Sequence, residues 1–160
     1  MEKSSDKIRV ATEARKKVAE WKSKGERVVF TNGCFDILHL GHVDYLEKAR
    51  NLGDRLVVGL NTDSSVSRFK GSERPIQDQN SRARVISSLQ FVDMVVLFDE
   101  DTPKELISSL VPDVLVKGSD YLAENIVGAD VVKKAGGEVM TLDFVPGYST
   151  SKVIEKIRKT

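Results

Sequence analysis

The sequence predicts an α/β fold: a Rossmann-like, doubly wound sheet of five parallel strands with helices on both faces. Three observations predict it. Short apolar runs recur at residues 28–31, 56–60, 92–98, 114–116 and 138–142, and such nearly unbroken runs suit strands buried on both faces. The segments between them are long enough to hold crossover helices, and no hairpin turn joins any two runs. Gly25, Gly53, Pro112 and the Gly136-Gly137 pair supply the stops between periodic segments.

The elements follow in chain order. Residues 6–24 place Ile8, Ala11, Ala14, Val18, Ala19 and Trp21 at helical spacing among charges, which predicts an amphipathic helix laid on the domain, with Trp21 as a packing anchor. The first strand, residues 28–31, leads through Thr31-Asn32-Gly33 to a helix over 41–52 with Val43, Leu46 and Ala49 on one face. After the second strand, residues 61–79 are polar and rich in turn formers, and read as a long functional loop. A helix over 80–90 precedes the third strand. Thr102, Pro103 and Glu105 then read as cap, first helical position and capping-box partner of a helix running to about Leu110. The fourth strand ends in Lys117-Gly118-Ser119-Asp120, a helix covers 129–135, the fifth strand follows, and a last helix spans 152–158. Residues 1–26 are expected to form an N-terminal helical extension and 27–160 a single domain, without internal repeats.

Composition excludes several classes. At 160 residues the chain holds one ordinary core. Lysine plus arginine at 25 against aspartate plus glutamate at 24 leaves +1, so no basic field points to nucleic acid. The N-terminus, MEKSSDKIRV, has no apolar signal core, and no run approaches the roughly 20 residues of a membrane span. A cytoplasmic protein without membrane contact is expected. Cys34 is the only cysteine, which excludes an intrachain disulfide and a thiol-rich zinc site.

The only two histidines, His39 and His42, flank Gly41 where a strand passes into a helix. That is where a parallel sheet carries its ligands and where helix dipole and free N–H groups favour phosphate. Their placement favours phosphate binding; capping or core histidines and a metal site are the alternatives, and with no third histidine and no other cysteine a metal would have only carboxylates to complete its set. Arg68, Lys70 and Arg74 lie on the polar stretch after the second strand, where cations can close over a triphosphate. On composition alone the simpler reading, a solvated loop with ordinary surface charges, wins. Lys117 points to the carboxyl edge of the sheet, and Asp120 and Tyr121 follow as an acceptor and a flat ring that suit a base or a sugar, or merely start a turn. Tyr148, Ser149, Thr150 and Ser151 stand before the final helix, as a cap or as a second anion site. There is no GxxxxGK[ST] and no GxGxxG. Cys34 beside the histidines invites a thiol-nucleophile reading, but next to Phe35 it reads as a small packed residue.

HLGH at 39–42, preceded by TNGCFDIL at 31–38, resembles the HxGH signature of the nucleotidyltransferase superfamily, and YSTS at 148–151 resembles its second signature. GLNTDSSVSRFKG (59–71), RPI (74–76), DEDTP (99–103), PDVLVKGSDY (112–121) and GGEV (136–139) are similar to the adenylyltransferases that act on glycero-manno-heptose 1-phosphate. The resemblance implies transfer of AMP from ATP to a sugar phosphate by direct in-line attack, with release of pyrophosphate and with Mg2+ carried on the ATP phosphates. It implies catalytic roles for His39, His42 and Lys70. It places Thr31, Asn32, Gly33, Cys34, Phe35, Gly41, Lys117, Asp120, Tyr148, Ser149 and Thr150 around the nucleotide, and Asp36, Asn61 and Arg74 toward the acceptor. It further implies a homodimer and, since a single helix precedes the domain, a separate sugar kinase in the pathway. Ser119 departs from a second glycine usual in the heptose enzymes. Residues 144–147 lack the arginine that related glycerol-phosphate cytidylyltransferases carry there. A cytidylyltransferase using CTP and a phospho-alcohol, and a nucleotide-binding regulator without turnover, are the alternatives.

Overall fold

The computed structural model describes residues 1–160. Five parallel strands, β1 (Val28–Gly33), β2 (Arg55–Asn61), β3 (Met94–Phe98), β4 (Val114–Gly118) and β5 (Glu138–Leu142), form one sheet in the order β3-β2-β1-β4-β5. The chain winds outward from β1 to β3 and then returns to lay β4 on the other side of β1. The crevice at the carboxyl ends of β1 and β4 is therefore the topological switch point, where such sheets bind ligands.

Alternation along the strands builds two cores. Phe30, Val57, Val96 and Leu115 face one layer, where Ala14, Val18 and Trp21 of α1 (Ala11–Ser23) join Leu106, Ile107 and Leu110 of α5 (Lys104–Leu110) and Val132 of α6 (Ala129–Lys134). Val29, Val58, Val95, Val114 and Val116 face the other, against Leu46 and Ala49 of α2 (Leu40–Arg50) and Ala83 and Ile86 of α4 (Gln79–Ser87). Each fully buried side chain of this kind contributes roughly 1.5–3 kcal/mol relative to exposure, and the central strands carry them on both faces. The doubly wound architecture is thus a direct result of the unbroken apolar runs. No helix is long and apolar enough to cross a membrane.

Four local expectations are corrected. The first helix begins at Ala11; residues Ser4–Lys7 form a 3-10 turn, and Ile8 makes a parallel bridge to Val95, with Arg9 N donating to Val95 O at 3.0 Å. The open outer edge of β3 draws that segment into the sheet. Residues 61–79 are not a plain loop, because they contain α3 (Asp63–Lys70). Thr62 caps it by accepting from Ser65 N at 3.3 Å, and Ser65 and Val66 are buried, so its polar residues are those of a short helix's first turn and outer face. The capping box at 102–105 does not form. Pro103, with φ −79° and ψ 11°, is itself the flanking residue of α5, which leaves Thr102 Oγ1 outside the first turn at 3.5 Å from Lys104 N. The third strand starts at Met94, since Asp93 is spent accepting from Leu56 N and pairing with Arg50.

Candidate active site

A cavity of about 480 Å³ opens at the switch point. The ends of β1 (Asn32, Gly33) and β4 (Gly118) form its floor, and the N-termini of α2 and of α7 (Thr150–Arg158) face into it. Two helix starts thus turn unsatisfied N–H groups and positive dipole ends toward one space, a setting that favours anions.

The histidines are ordered by the start of α2. His39 is the flanking residue, and its Nδ1 accepts from Gly41 N at 3.1 Å; His42 Nδ1 accepts from His39 N at 3.4 Å. Because each Nδ1 is an acceptor, each neutral ring carries its proton on Nε2. The rings stack with centroids 3.8 Å apart and planes at 25°, and Phe35 meets His42 edge-on at 5.4 Å. Burial, reinforced by the neighbouring His39, pushes His42 down to about 4, and burial lowers His39 as well. At neutral pH the pair presents two uncharged N–H donors. Gly41 is required by this packing: a Cβ there would stand 2.9 Å from His39 Cε1 and 3.3 Å from Tyr148 Cβ.

The turn between β1 and α2 is strained and clamped. Phe35 and Ile37 adopt φ of 47° and 45°, a left-handed conformation uncommon for non-glycine residues. Asp36 between them is 2% exposed, and its carboxylate accepts from Ile76 N at 2.7 Å, Gln77 N at 3.0 Å and Arg74 Nε at 3.4 Å. Asp36 O in turn accepts from Thr150 Oγ1 at 2.6 Å. The Asp36 carboxylate is therefore committed to holding the segment after α3, while its carbonyl ties the turn to the start of α7. Ser149 caps α7, accepting from Lys152 N at 3.1 Å.

Three cations line the cavity: Lys70 at the end of α3, Arg74 and Lys117. Burial lowers Lys117 below the ordinary lysine value, opposed by Asp120. Arg68 lies outside this cavity, tied to Asp99 and Asp101. Burial pushes the Cys34 thiol up, which disfavours the thiolate a nucleophile would need. No three His, Cys, Asp or Glu side chains converge as a metal cluster.

Of the residues singled out in the sequence as site candidates, the structure brings all but Arg68, Thr31 and Asn61 to this cavity wall. Thr31 is fully buried beneath it, its hydroxyl donating to Val116 O at 3.0 Å and paired with Tyr45 OH at 2.8 Å. Asn61 is turned to Ser65, with Nδ2 donating to Oγ at 2.9 Å. The Thr31 side chain is consumed by packing the strand ends, whereas Asn61 lines a neighbouring cavity beyond Lys70. Sequence reasoning missed Tyr45, Gly118 and Phe144. The Phe144 ring stacks on Tyr45 at 5.5 Å and lies where a side chain on residue 118 would be, with Cε2 2.2 Å from a Cβ built there. The glycine directly after an apolar strand was the available signal. Arg82 was also missed: it is 0% exposed and donates to Cys34 O, Asn61 O and Gln77 O and pairs with Asp63 at 2.8 Å. It joins the ends of β1 and β2 to the segment after α3, and no local pattern distinguishes it from a surface arginine.

Residues 30–156 match the family described as Cytidylyltransferase-like. The chain is 55% identical over 153 residues to bifunctional protein HldE of Magnetococcus marinus, covering 96% of this chain and 31% of that one. It is 59% identical over 141 residues to bifunctional protein HldE of Azorhizobium caulinodans, covering 88% and 29%. The chain thus spans less than a third of the length of these curated relatives. Among solved structures, the lipopolysaccharide core biosynthesis protein from Thermoplasma volcanium GSS1 superposes with a TM-score of 0.60 at 35% identity, over 76% of this chain and 98% of that one. Pantoate-beta-alanine ligase from Francisella tularensis gives 0.58 at 13% identity, over 96% and 78%, which shows the shared fold alone.

Proposed function

Since the chain belongs to the cytidylyltransferase-like family and is a nucleotidyltransferase, we propose that it transfers AMP from ATP to D-glycero-manno-heptose 1-phosphate, forming an ADP-heptose and pyrophosphate. One observation carries the phosphate chemistry: the stacked His39–His42 pair, each Nδ1 held by a backbone N–H, faces the start of α7 across a single cavity. The heptose acceptor is supported by the motif resemblance over 59–121 and by the similarity to the HldE proteins.

In this reading an oxygen of the acceptor phosphate attacks the α-phosphorus. The new P–O bond forms as the bond to the β-phosphate oxygen breaks, and pyrophosphate leaves with that electron pair. Nε2–H of His39 and of His42 donate to phosphate oxygens whose charge grows during transfer, each worth roughly 2.7–4 kcal/mol as a positioned donor. The free N–H groups at the start of α7 hold the outer phosphates. Lys70 and Lys117 neutralise charge from two sides, and the Asp36 clamp keeps the turn under His39 in register with α7. Magnesium on the ATP phosphates supplies further charge neutralisation when bound. No protein nucleophile is required, and rate comes from positioning and electrostatics. A separate sugar kinase in the same pathway belongs to this reading.

The test is product identification. The protein is given ATP or CTP, each with magnesium, and either heptose 1-phosphate or glycerol 3-phosphate, with pyrophosphate release followed and the nucleotide product weighed by mass spectrometry. ADP-heptose is the expected product. CDP-glycerol would overturn both substrate assignments while keeping the nucleotidyl transfer, and ATP binding without release for any pair would favour a regulator.

A further inference from the structure

We propose that a second cavity, beside the first, receives the sugar of the acceptor, with the rings of Phe69 and Tyr121 as its walls. This rests on the reading above that the acceptor is a sugar phosphate. The second cavity has a volume of about 700 Å³, within the roughly 300–1,000 Å³ of small-molecule sites. It shares Asn32, Lys70, Lys117 and Tyr121 with the first cavity and extends away from the helix starts that hold phosphate.

The lining has the chemistry of a carbohydrate rather than a nucleotide phosphate. Phe69 is 57% exposed at the end of α3, although Val66 three residues earlier is fully buried, so packing does not account for its ring. Tyr121 is 48% exposed across the same space. Aromatic faces suit the C–H-rich face of a pyranose, and a few polar groups then read its hydroxyls. Those groups are present. Asn125 lines the cavity, and Asn32 Oδ1 is a buried acceptor with no partner in the protein, a condition that favours a ligand donor.

The two rings also fix the direction of the acceptor. Lys70 Nζ lies 5.9 Å from the Phe69 centroid and Lys117 Nζ 5.2 Å from the Tyr121 centroid. Both lysines line both cavities. An acceptor whose sugar lies between the rings puts its phosphate between the lysines, at the junction where the α-phosphate of a nucleotide in the first cavity would face it. Phe69, which lines the second cavity and not the first, is then a specificity residue for the acceptor with no part in holding ATP, and Tyr121 is a wall of the sugar subsite at the junction of the two cavities.

Steady-state kinetics of Phe69→Ala and Tyr121→Ala with ATP and heptose 1-phosphate test this, because both side chains are exposed and their loss leaves the core intact. The KM for the sugar phosphate should rise about tenfold in both variants, while in Phe69→Ala the KM for ATP stays within about twofold, and Phe69→Tyr should keep the wild-type value. If wild type forms ADP-heptose but Phe69→Ala and Tyr121→Ala leave the acceptor KM unchanged, or Phe69→Ala raises both KM values together, the aromatic subsite is overturned and the function stands. If wild type forms no ADP-sugar, the acceptor assignment fails before any variant is made, and the subsite falls with it.

Discussion

Replacing Gly41 with alanine should disable the protein while leaving it folded. The added Cβ would stand 2.9 Å from His39 Cε1 and 3.0 Å from His39 Nδ1. The ring has no room to retreat toward His42, whose ring already stacks on it at 3.8 Å, so it must swing out of its hydrogen bond to Gly41 N. The stability terms nearly cancel. Alanine in a helix is favoured over glycine by about 1 kcal/mol, and loss of a helix cap costs about 0.5–2 kcal/mol. The chemical term does not cancel, because a displaced His39 removes one phosphate donor, worth about 2.7–4 kcal/mol or 10²- to 10³-fold in kcat. Urea unfolding and pyrophosphate release measured on the same preparation separate the two. A variant that keeps kcat within about threefold of wild type refutes the argument that His39 is held in place for chemistry. A collapse of the unfolding midpoint shows instead that Gly41 serves only the fold.

Three further outcomes are expected. His42 falls from the ordinary 6.5 to about 4 in the folded protein, so between these values the unfolded chain binds more protons; the contribution of His42 to stability is complete above pH 6.5 and is lost as pH falls toward 4. Urea midpoints at pH 7.5, 5.5 and 4.5 should show this loss in wild type and a smaller one in His42→Gln. Lys70→Ala should lower kcat more than it weakens binding of a non-hydrolysable ATP analogue, since Lys70 meets both cavities; equal losses by titration and turnover would make it a simple binding residue. Arg82→Met should leave the carbonyls of Cys34, Asn61 and Gln77 without their donor, with Asp63 half-exposed and still solvated, and cost about 1–3 kcal/mol for each carbonyl that stays buried and unpaired. Thermal unfolding checks it, and a variant within about 1 kcal/mol of wild type would show that water replaces the guanidinium.

The fold was legible because strands buried on both faces leave a strong trace. Runs such as LVVGL at 56–60 admit few other structures. The site was legible for a related reason: in a parallel sheet, residues just past a strand converge at one edge, so His39, Lys117 and the hydroxyls before the last helix meet without any local signal that they should. What escaped is what depends on partners distant in sequence. Thr31 stands at the right strand end, yet its hydroxyl is claimed by Tyr45 and by the carbonyl of Val116, eighty-five residues on. The resemblance sets Asp36 toward the acceptor, and only the structure shows two backbone N–H groups, about forty residues on, closed over its carboxylate. The helix inside 61–79 was hidden because its short buried face amounts to Ser65 and Val66.

The central claim is that the donors of this cavity hold two phosphates in line, so that AMP passes directly from ATP to the acceptor. It is tested most directly with ATP carrying sulfur and an oxygen isotope at a chiral α-phosphorus, followed by determination of configuration in the nucleotide-sugar product. A single in-line displacement inverts the configuration, and inversion is the result expected. Retention would mean two displacements through a covalent enzyme intermediate, and would contradict the account of His39 and His42 as donors in a direct transfer.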